Sequence, residues 1–400
     1  MALTSARSHG RLEGGAAFAA AAYAFMAAML GTTLPTPLYA LYQRRFGFSE
    51  LIITVIFATY ALGVIVALLL AGRLSDEVGR RPVLLGGLLL SALSAVAFLL
   101  ANGLVLLLVG RILSGLSAGI FTGTATATLV DLLGTQRAGR ATLVAAVANM
   151  GGLGSGPLLS AALASLGTPL RLPFWVDLGL LVPALAAILL IREPVQATGR
   201  VRLRLQTLSV PPQMRTTFVS SALAGFAGFA VLGLSTAVAP AFLGQTLGVH
   251  SLVVVGLVVF SVFAGSTAGQ LLLDVVPQAR ALSAGCAGLV MGMALLAVGL
   301  ASSSLGFLVA GGVLAGVGQG LSFRAALGAI NSQAPPERRG EVDSSFFVVA
   351  YVAISLPVIG EGVLAQLAGL RTAGLVFAAV VAVIAAIVLV LLARQRDQRG

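Results

Sequence analysis

Long apolar segments alternate with short polar segments along the whole chain. Each apolar segment is about as long as the ~20-residue helix that crosses ~30 Å of hydrocarbon. None shows the period of two that is typical of membrane β-strands. The segments lie near residues 15–40, 51–72, 82–101, 104–131, 141–166, 172–191, 216–243, 251–274, 280–301, 304–332, 342–368 and 371–393. This pattern predicts an all-α membrane protein with 12 transmembrane helices.

A polar, arginine-rich stretch separates the sixth apolar segment from the seventh. We therefore predict an N-terminal six-helix bundle over residues 1–191, a cytoplasmic linker over 192–214 and a C-terminal six-helix bundle over 215–400. The two halves align at an offset of about 201 residues, which indicates an internal duplication. The matched pairs are Gly47 with Gly248, Gly110 with Gly311, Gly115 with Gly316, Gly119 with Gly320, and Arg137 with Arg338. Two such halves suggest alternating access, with the substrate bound between them.

The composition indicates that lipid surrounds much of the chain. Its 400 residues are 58% hydrophobic and 9% charged, with a mean hydropathy of +1.04, whereas soluble domains carry roughly 25% charged residues. We interpret the net charge of +11 as orientation charge rather than a nucleic-acid surface. Eighteen arginines fall on one side of the predicted spans and four on the other. By the positive-inside rule we expect both termini in the cytoplasm. We expect the membrane itself to be a bacterial inner membrane.

A short charged segment lies between the second and third spans. It carries Gly72, Asp76, Gly79, Arg80 and Arg81. Gly79 permits a tight turn, and the two arginines keep the segment in the cytoplasm. We predict that Asp131, at the inner end of the fourth span, can clamp Arg80. The alternative is that these charges only set the topology.

This segment resembles a motif of the major facilitator superfamily, and the twelve-span duplicated pattern extends the resemblance over essentially the whole chain. The resemblance implies a transporter that works by alternating access. It further implies that Asp76 locks one conformation against the inner end of the eleventh helix.

Gly152, Gly156 and Pro157 on the fifth span are similar to a packing motif of bacterial drug–proton antiporters in that family. The motif is incomplete, because Leu143, Ser160 and Ala161 stand where it has glycines. The resemblance favours proton-coupled efflux, and a metabolite or sugar transporter of the same fold stays open. A membrane sensor that does not transport is a further open alternative. Static helix packing is the alternative role for the small residues.

Three charged residues fall inside predicted spans and are candidates for proton coupling: Arg111, Asp177 and Glu361. Charges within the hydrocarbon region are costly, so they face protein or a cavity and are often functional. We expect Asp177 to lie at a depth similar to that of Arg111 and to be a possible partner for it. A structural role, through pairing for Arg111 or as a neutral hydrogen-bonded acid for Glu361, is the alternative.

Candidates for the substrate cavity come from several spans. Thr33 and Pro35 lie at the end of the first helix, where prolines interrupt the helix and often mark a binding site. The other candidates are Phe226, Phe229, Gln319, Phe323, Phe347 and Tyr351. Phenylalanine also serves as ordinary lipid-facing surface, which is the alternative for these rings.

No nucleotide-binding loop, catalytic triad or metal-ligand cluster is present in the sequence. The chain has a single cysteine, Cys286, and two histidines, His9 and His250. We therefore expect no enzyme activity, no cofactor and no metal. The expected partners are a small-molecule substrate, protons and the lipid bilayer, with no nucleic acid, and we expect a monomer.

Overall fold

A computed structural model describes residues 12–71, 74–195 and 206–397. Within these ranges the chain is almost entirely helical, and the only β-type pairing is an isolated bridge between Leu12 and Ile191. The helices are α1 (Gly14–Thr33), α2 (Tyr39–Phe46), α3 (Glu50–Ala71), α4 (Leu74–Val78), α5 (Arg80–Leu99), α6 (Leu104–Leu133), α7 (Ala138–Ala164), α8 (Leu172–Leu190), α9 (Arg215–Ala237), α10 (Ala239–Gln245), α11 (Leu252–Leu272), α12 (Gln278–Ser302), α13 (Leu305–Gln333), α14 (Arg339–Ala368) and α15 (Leu370–Asp397).

Twelve of the described helical segments are long and apolar enough to cross a membrane. They confirm the predicted all-α fold class and follow the predicted apolar segments in order. The first span differs in detail, because α1 ends at Thr33 and the chain continues through a short 3₁₀ turn over Thr36–Leu38 into α2. Pro35 and Pro37 cause this break, since a proline removes a backbone donor and restricts the residue before it.

The same packing arrangement occurs in each half. In the first half α3 and α5 pack on α6, while α1 packs on α6, α7 and α8. In the second half α11 and α12 pack on α13, while α9 packs on α13, α14 and α15. The halves meet through α7 against α11 and through α3 against α14. The fold is therefore pseudo-symmetric, as the duplication predicts.

Glycines allow these helices to approach closely at equivalent places. A Cβ on Gly63 would lie 2.5 Å from the Ile112 carbonyl oxygen, and one on Gly265 would lie 2.5 Å from that of Val313. Ile112 and Val313 differ by the repeat offset of 201 residues. Close contact through small residues is how helices gain dispersion energy in a membrane, where no hydrophobic force drives them together.

Candidate functional site

A cavity of about 510 Å³ lies between the two halves. We use "inner end" for the end of the helices that the arginine distribution predicts to be cytoplasmic, and "outer end" for the other. The cavity lining includes Asn331 and Gly340, which lie where α13 ends and α14 begins at the inner end. It continues to Thr32 and Arg111, which lie on the outer halves of their spans. The cavity therefore extends from the inner end to beyond the middle of the molecule.

Contacts between the halves close the outer end. Glu50, the first residue of α3, accepts hydrogen bonds from Gln43 Nε2 at 2.7 Å and from Gln245 Nε2, in the opposite half, at 2.6 Å. Gly362 of α14 packs directly on Thr54 of α3, where a Cβ would clash. The outer end is thus closed by close helix packing and by a cross-half hydrogen bond.

Aromatic rings form a continuous cluster along the cavity. Tyr60 and Tyr351 meet edge to face across the two halves, with ring centroids 6.4 Å apart. Phe229 lies 5.8 Å from Tyr351 and 5.4 Å from Phe323, which in turn lies 6.1 Å from Phe347. All five rings line the cavity, so it offers an aromatic surface to a bound molecule.

Of the eight residues predicted to line the cavity, Thr33, Phe229, Phe323, Phe347 and Tyr351 do so. The other three, Pro35, Phe226 and Gln319, are not among the residues that line this cavity. Gln319 is fully buried and faces α11, where it accepts a hydrogen bond from Ser266 Oγ at 2.5 Å. Pro35 is buried just before the 3₁₀ turn, and Phe226 packs against the hydrophobic core.

Arg111 is 1% exposed and lies at the outer end of the cavity. Its Nη1 donates to the Thr32 carbonyl oxygen at 2.6 Å and its Nη2 to that of Phe57 at 3.5 Å. The guanidinium carbon is 5.3 Å from the Phe57 ring centroid and 4.6 Å from that of Tyr60. Arg111 therefore joins α6 to the first and second spans through backbone carbonyls and aromatic faces.

The expected pairing of Arg111 with Asp177 does not form. No ion pair or hydrogen bond joins the two side chains, both of which the structure describes. Asp177 is 2% exposed and lies beside Gly31, where a Cβ would be 2.9 Å from Oδ2. Its Oδ1 has no partner within the described part of the chain. Arg111 Nη1 instead donates to the Thr32 carbonyl oxygen, which is available because the helix breaks after Thr33.

Glu361 lies in a second, smaller pocket inside the second half. The residue is 3% exposed, and neither carboxylate oxygen has a hydrogen-bond partner among the described residues. The pocket has a volume of about 60 Å³ and is lined mainly by apolar side chains together with Ser235 and Gly312. Glu361 does not line the central cavity, so it is a buried acid separate from the substrate-sized space.

The hairpin between the second and third spans contains the short helix α4 and a charged cluster. Arg80 Nη1 lies 2.5 Å from Asp76 Oδ1, and its Nε lies 3.0 Å from Asp131 Oδ2. Gly79 has a φ of +108°, which favours glycine and permits the tight turn into α5. Gly72 lies outside the described residues. Arg81 donates to the Leu189 carbonyl oxygen at 2.5 Å.

Asp76 does not reach the inner end of the eleventh span. Its ion pair is with Arg80, and its side chain is 58% exposed. Within the described ranges no hydrogen bond or ion pair joins Asp76 to α14. The contact implied by the family resemblance is therefore not made in this conformation.

Two sets of contacts at the inner end were not expected from the sequence. The first is Glu193, whose Oε1 and Oε2 accept hydrogen bonds from the backbone N–H groups of Arg80 at 2.7 Å and Arg81 at 3.0 Å. These N–H groups open α5, so Glu193 satisfies donors that the helix leaves free and lies at its positive end. The only sequence signal is a carboxylate directly after the sixth span.

The second is the end of the predicted linker, which crosses the inner end as a strap over Gln206–Ser209. The backbone N–H of Gln206 donates to the Leu69 carbonyl oxygen at 2.8 Å, and its side chain lines the cavity. Thr207 Oγ1 donates to Glu341 Oε1 at 2.8 Å, and Arg338 Nη2 donates to Ser209 Oγ at 2.5 Å. The strap thus joins the inner end of α3 to the start of α14.

The predicted packing motif on the fifth span contacts two neighbouring helices. A Cβ on Gly152 would lie 2.5 Å from the Met26 carbonyl oxygen, and one on Gly156 would clash with that of Leu30, both on α1. The Pro157 carbonyl oxygen lies 2.9 Å from the Cβ position of Gly256 on α11. The motif residues therefore pack α7 against its own half and against the opposite half.

The described residues include no group of three or more His, Cys, Asp or Glu side chains placed to hold a metal ion. The side chains that remain for chemistry at this site are the aromatic cluster, the neutral polar residues of the cavity, and the buried charged groups. These can bind a molecule and exchange a proton.

The chain is similar to a family model, to curated relatives and to solved structures. A family model described as Major Facilitator Superfamily matches residues 16–356. A triacylglyceride transporter of Mycolicibacterium smegmatis is 33% identical over 138 residues, which are 34% of this chain and 24% of that protein. The multidrug resistance protein MdtL of Escherichia coli is 38% identical over 89 residues, 22% of this chain and 23% of that protein. The matched segments thus span about a quarter of these curated relatives.

Solved structures are similar over nearly the whole chain. The human organic anion transporter MFSD10 has a TM-score of 0.68 at 18% identity and covers 94% of this chain and 99% of that one. A bacterial homologue of the human lysosomal transporter Spinster, in an inward-facing and unoccupied conformation, has a TM-score of 0.73 at 16% identity, covering 94% and 96%. Likeness at these identities establishes the fold.

Proposed function

The chain belongs to the Major Facilitator Superfamily, and from this membership we propose a secondary active transporter that exports small, fairly apolar compounds in exchange for protons. The membership confirms the resemblance carried by the hairpin motif and the duplicated halves. The protein is a multi-pass membrane protein and a transporter rather than an enzyme. We further propose that it is a monomer in the bacterial inner membrane with both termini in the cytoplasm.

The central cavity is the observation that carries this proposal. It lies between two pseudo-symmetric halves, extends to the inner end and is closed at the outer end by contacts between Glu50 and Gln245 and between Gly362 and Thr54. Alternating access requires a site between two bodies that can rock about it. The opposite state would open these outer contacts and close the inner end.

The lining of the cavity supports a substrate with apolar surface. The rings of Phe229, Phe323, Phe347, Tyr60 and Tyr351 offer stacking surface, and aromatic side chains are typical of small-molecule sites. The names of the two curated relatives, a multidrug resistance protein and a triacylglyceride transporter, agree with such a substrate.

Glu361 is the first candidate for the residue that couples transport to protons. It is buried, has no hydrogen-bond partner among the described residues and lies on α14, which packs against the opposite half through α3. An ionisable group in that position is a functional candidate because burying its charged form is costly. Asp177 is the second candidate, since it is also buried and its Oδ1 is also unpaired.

We propose that the hairpin acts as the gate at the inner end. Asp76 is exposed beside Arg80 and is free to move towards the first turn of α14 when the halves close. A helix N-terminus attracts a carboxylate through its free N–H groups and dipole. Asp131 and Ser75 would hold Arg80 in place during that movement.

A metabolite or sugar transporter is the second candidate. Neutral polar residues also line the cavity, among them Thr122, Thr126, Asn149 and Asn331, and hydroxyl and amide groups are suited to a sugar. The non-transporting sensor is less well supported, because the cavity has a volume of about 510 Å³. In addition, both oxygens of Glu361 and the Oδ1 of Asp177 lack a hydrogen-bond partner among the described residues.

A substrate screen in proteoliposomes tests the proposal. Purified protein is reconstituted, a pH gradient is imposed, and the fluxes of aromatic drugs, sugars and protons are recorded together. We expect aromatic compounds to cross the membrane in the direction opposite to the protons. Sugars should stay on the side where they were added. Sugar movement without drug movement would favour the second candidate, and no gradient-driven flux of any compound would overturn proton-coupled transport.

A further inference from the structure

We propose that the substrates are amphipathic organic anions, and that Arg111 binds their anionic group at the outer end of the cavity. This inference rests on the proposed function, since it takes the central cavity to be the substrate site. It adds the charge of the substrate and the residue that recognises it.

Arg111 has hydrogen-bonding capacity that the protein does not use. The Nε donor has no partner among the described residues, and the contact from Nη2 to the Phe57 carbonyl oxygen is long, at 3.5 Å. Only Nη1 makes a short bond, to Thr32. A guanidinium with spare donors on one edge can bind a carboxylate or similar oxyanion with two parallel hydrogen bonds.

The charge of Arg111 is not neutralised by the protein. Within the described residues no carboxylate lies within ion-pair distance of it, and Asp177 is directed at Gly31 instead. A buried arginine without a counter-charge is costly. An anionic group entering the cavity would supply that counter-charge.

The other charged groups of the cavity do not compensate Arg111. Arg324 is already paired, with Nη2 2.9 Å from Asp274 Oδ1. Asp343 is the remaining acid in the lining. It precedes Tyr351 by eight residues on α14, so it lies about 12 Å nearer the inner end than Tyr351, at about 1.5 Å per residue. The outer end of the cavity is therefore positive.

The aromatic rings define the rest of the ligand. Tyr60 touches both the Arg111 guanidinium and Tyr351 of the opposite half, and the ring cluster continues from Tyr351 towards the inner end through Phe229 and Phe323. A molecule with its anionic group on Arg111 would place an apolar body along these rings. This arrangement selects organic anions over small inorganic ones.

Ligands that differ only in charge provide the first test, on the wild-type protein in nanodiscs. The probes are 1-naphthaleneacetate, its neutral amide and 1-naphthylethylamine, with sodium chloride and sodium acetate as anions that lack the rings. Binding is measured by thermal stabilisation over a ligand titration. We expect the carboxylate to bind about tenfold or more tightly than the amide, as charge-assisted hydrogen bonds are stronger than neutral ones.

Several outcomes would overturn the proposal. The substrate class is wrong if the amide or the amine binds as tightly as the carboxylate, or if none of the organic probes binds. Stabilisation by chloride or acetate equal to that by the naphthalene carboxylate would mean that the site holds a simple counter-ion.

Variants then assign the effect to Arg111. Arg111→Gln should remove the preference for carboxylate over amide, while Arg111→Lys should keep part of it. Arg371→Gln is the matched control, because it removes an exposed arginine at the outer end that bonds Ser303 outside the cavity, and it should keep the full preference. A preference that persists in a folded Arg111→Gln protein contradicts the assignment.

Flux measurements separate this inference from the proposed function. In proteoliposomes with a pH gradient, movement of the neutral or cationic probe without the anion would leave proton-coupled export standing and overturn the anion class. Binding of the carboxylate that depends on Arg111, without any gradient-driven flux, would keep the anion site and overturn proton coupling.

Discussion

The two halves of the molecule carry different chemistry at one pair of equivalent positions. Arg111 on α6 and Gly312 on α13 are separated by the repeat offset of 201 residues. In the first half the arginine side chain fills the space beside α1 and α3 and borders the central cavity. In the second half the glycine borders a pocket of about 60 Å³ that contains Glu361. Equivalent places thus carry a permanent cation in one half and a titratable acid in the other.

This difference contrasts with the helix packing around it, which is the same in both halves. Gly115 packs on the Tyr60 carbonyl and Gly316 on that of Val262, at equivalent crossings of α6 with α3 and of α13 with α11. Close crossings tolerate little change, because a side chain there would meet backbone atoms. The two halves have therefore retained the same packing while their polar chemistry has diverged.

The largest effect is expected from the acid of the second half. Glu361→Gln removes the titratable group but nearly preserves its shape, so the protein should fold while the flux loses its dependence on the pH gradient. Proton and substrate fluxes in proteoliposomes measure this. Asp177→Asn in the first half is the matched variant and should keep coupling. If Asp177→Asn abolishes coupling and Glu361→Gln does not, the roles of the two halves are exchanged.

A smaller effect is expected when the equivalent glycines of the two halves are replaced, and the loss of stability should be the same in both halves. Gly115→Ala and Gly316→Ala each place a methyl group against a backbone carbonyl, and such overpacking typically costs about 1–3 kcal/mol. Gly123→Ala is the control on the same face of α6, since its Cβ would meet nothing within 4 Å. Thermal unfolding in detergent should show two similar losses of stability and no loss for the control, because alanine favours a helix over glycine where the methyl group has room. A loss in only one half would contradict equivalent packing.

The smallest effect on stability is expected at the hairpin. Asp76→Asn breaks an exposed ion pair with Arg80, and such pairs contribute about 0–1 kcal/mol. Transport should nevertheless fall if Asp76 closes the inner end. Wild-type transport by Asp76→Asn in vesicles, at equal amounts of folded protein, would exclude the gating role.

Much of the fold could be predicted because each helix carries its own signal. The apolar segments, Pro35 and Pro37 at the break and Gly79 at the turn act over a few residues, so local sequence suffices. The proximity of Arg80 and Asp131 was also predictable, because both lie at the inner ends of adjacent spans. Their gating role stays a proposal.

The site was less predictable because it depends on which helix faces are opposed. The apolar segment near residues 304–332 placed Gln319 and Phe323 on the same span. Phe323 lines the cavity, whereas Gln319 bonds Ser266. The strap at Gln206 joins the chain to Leu69 across 137 residues, and no local pattern in a polar linker signals such a contact.

The sequence by itself determined the class of protein, the number and order of the spans, the duplication and the charges inside the membrane. These follow from hydrophobicity and charge counted along one chain. Only the tertiary structure decided what those charges meet. Arg111 bonds the carbonyls of α1 and α3 rather than Asp177, and Glu361 lies in a pocket of its own. The physical reason is that partners are set by helix rotation and close packing, and a rotation of one residue, about 100°, changes every neighbour.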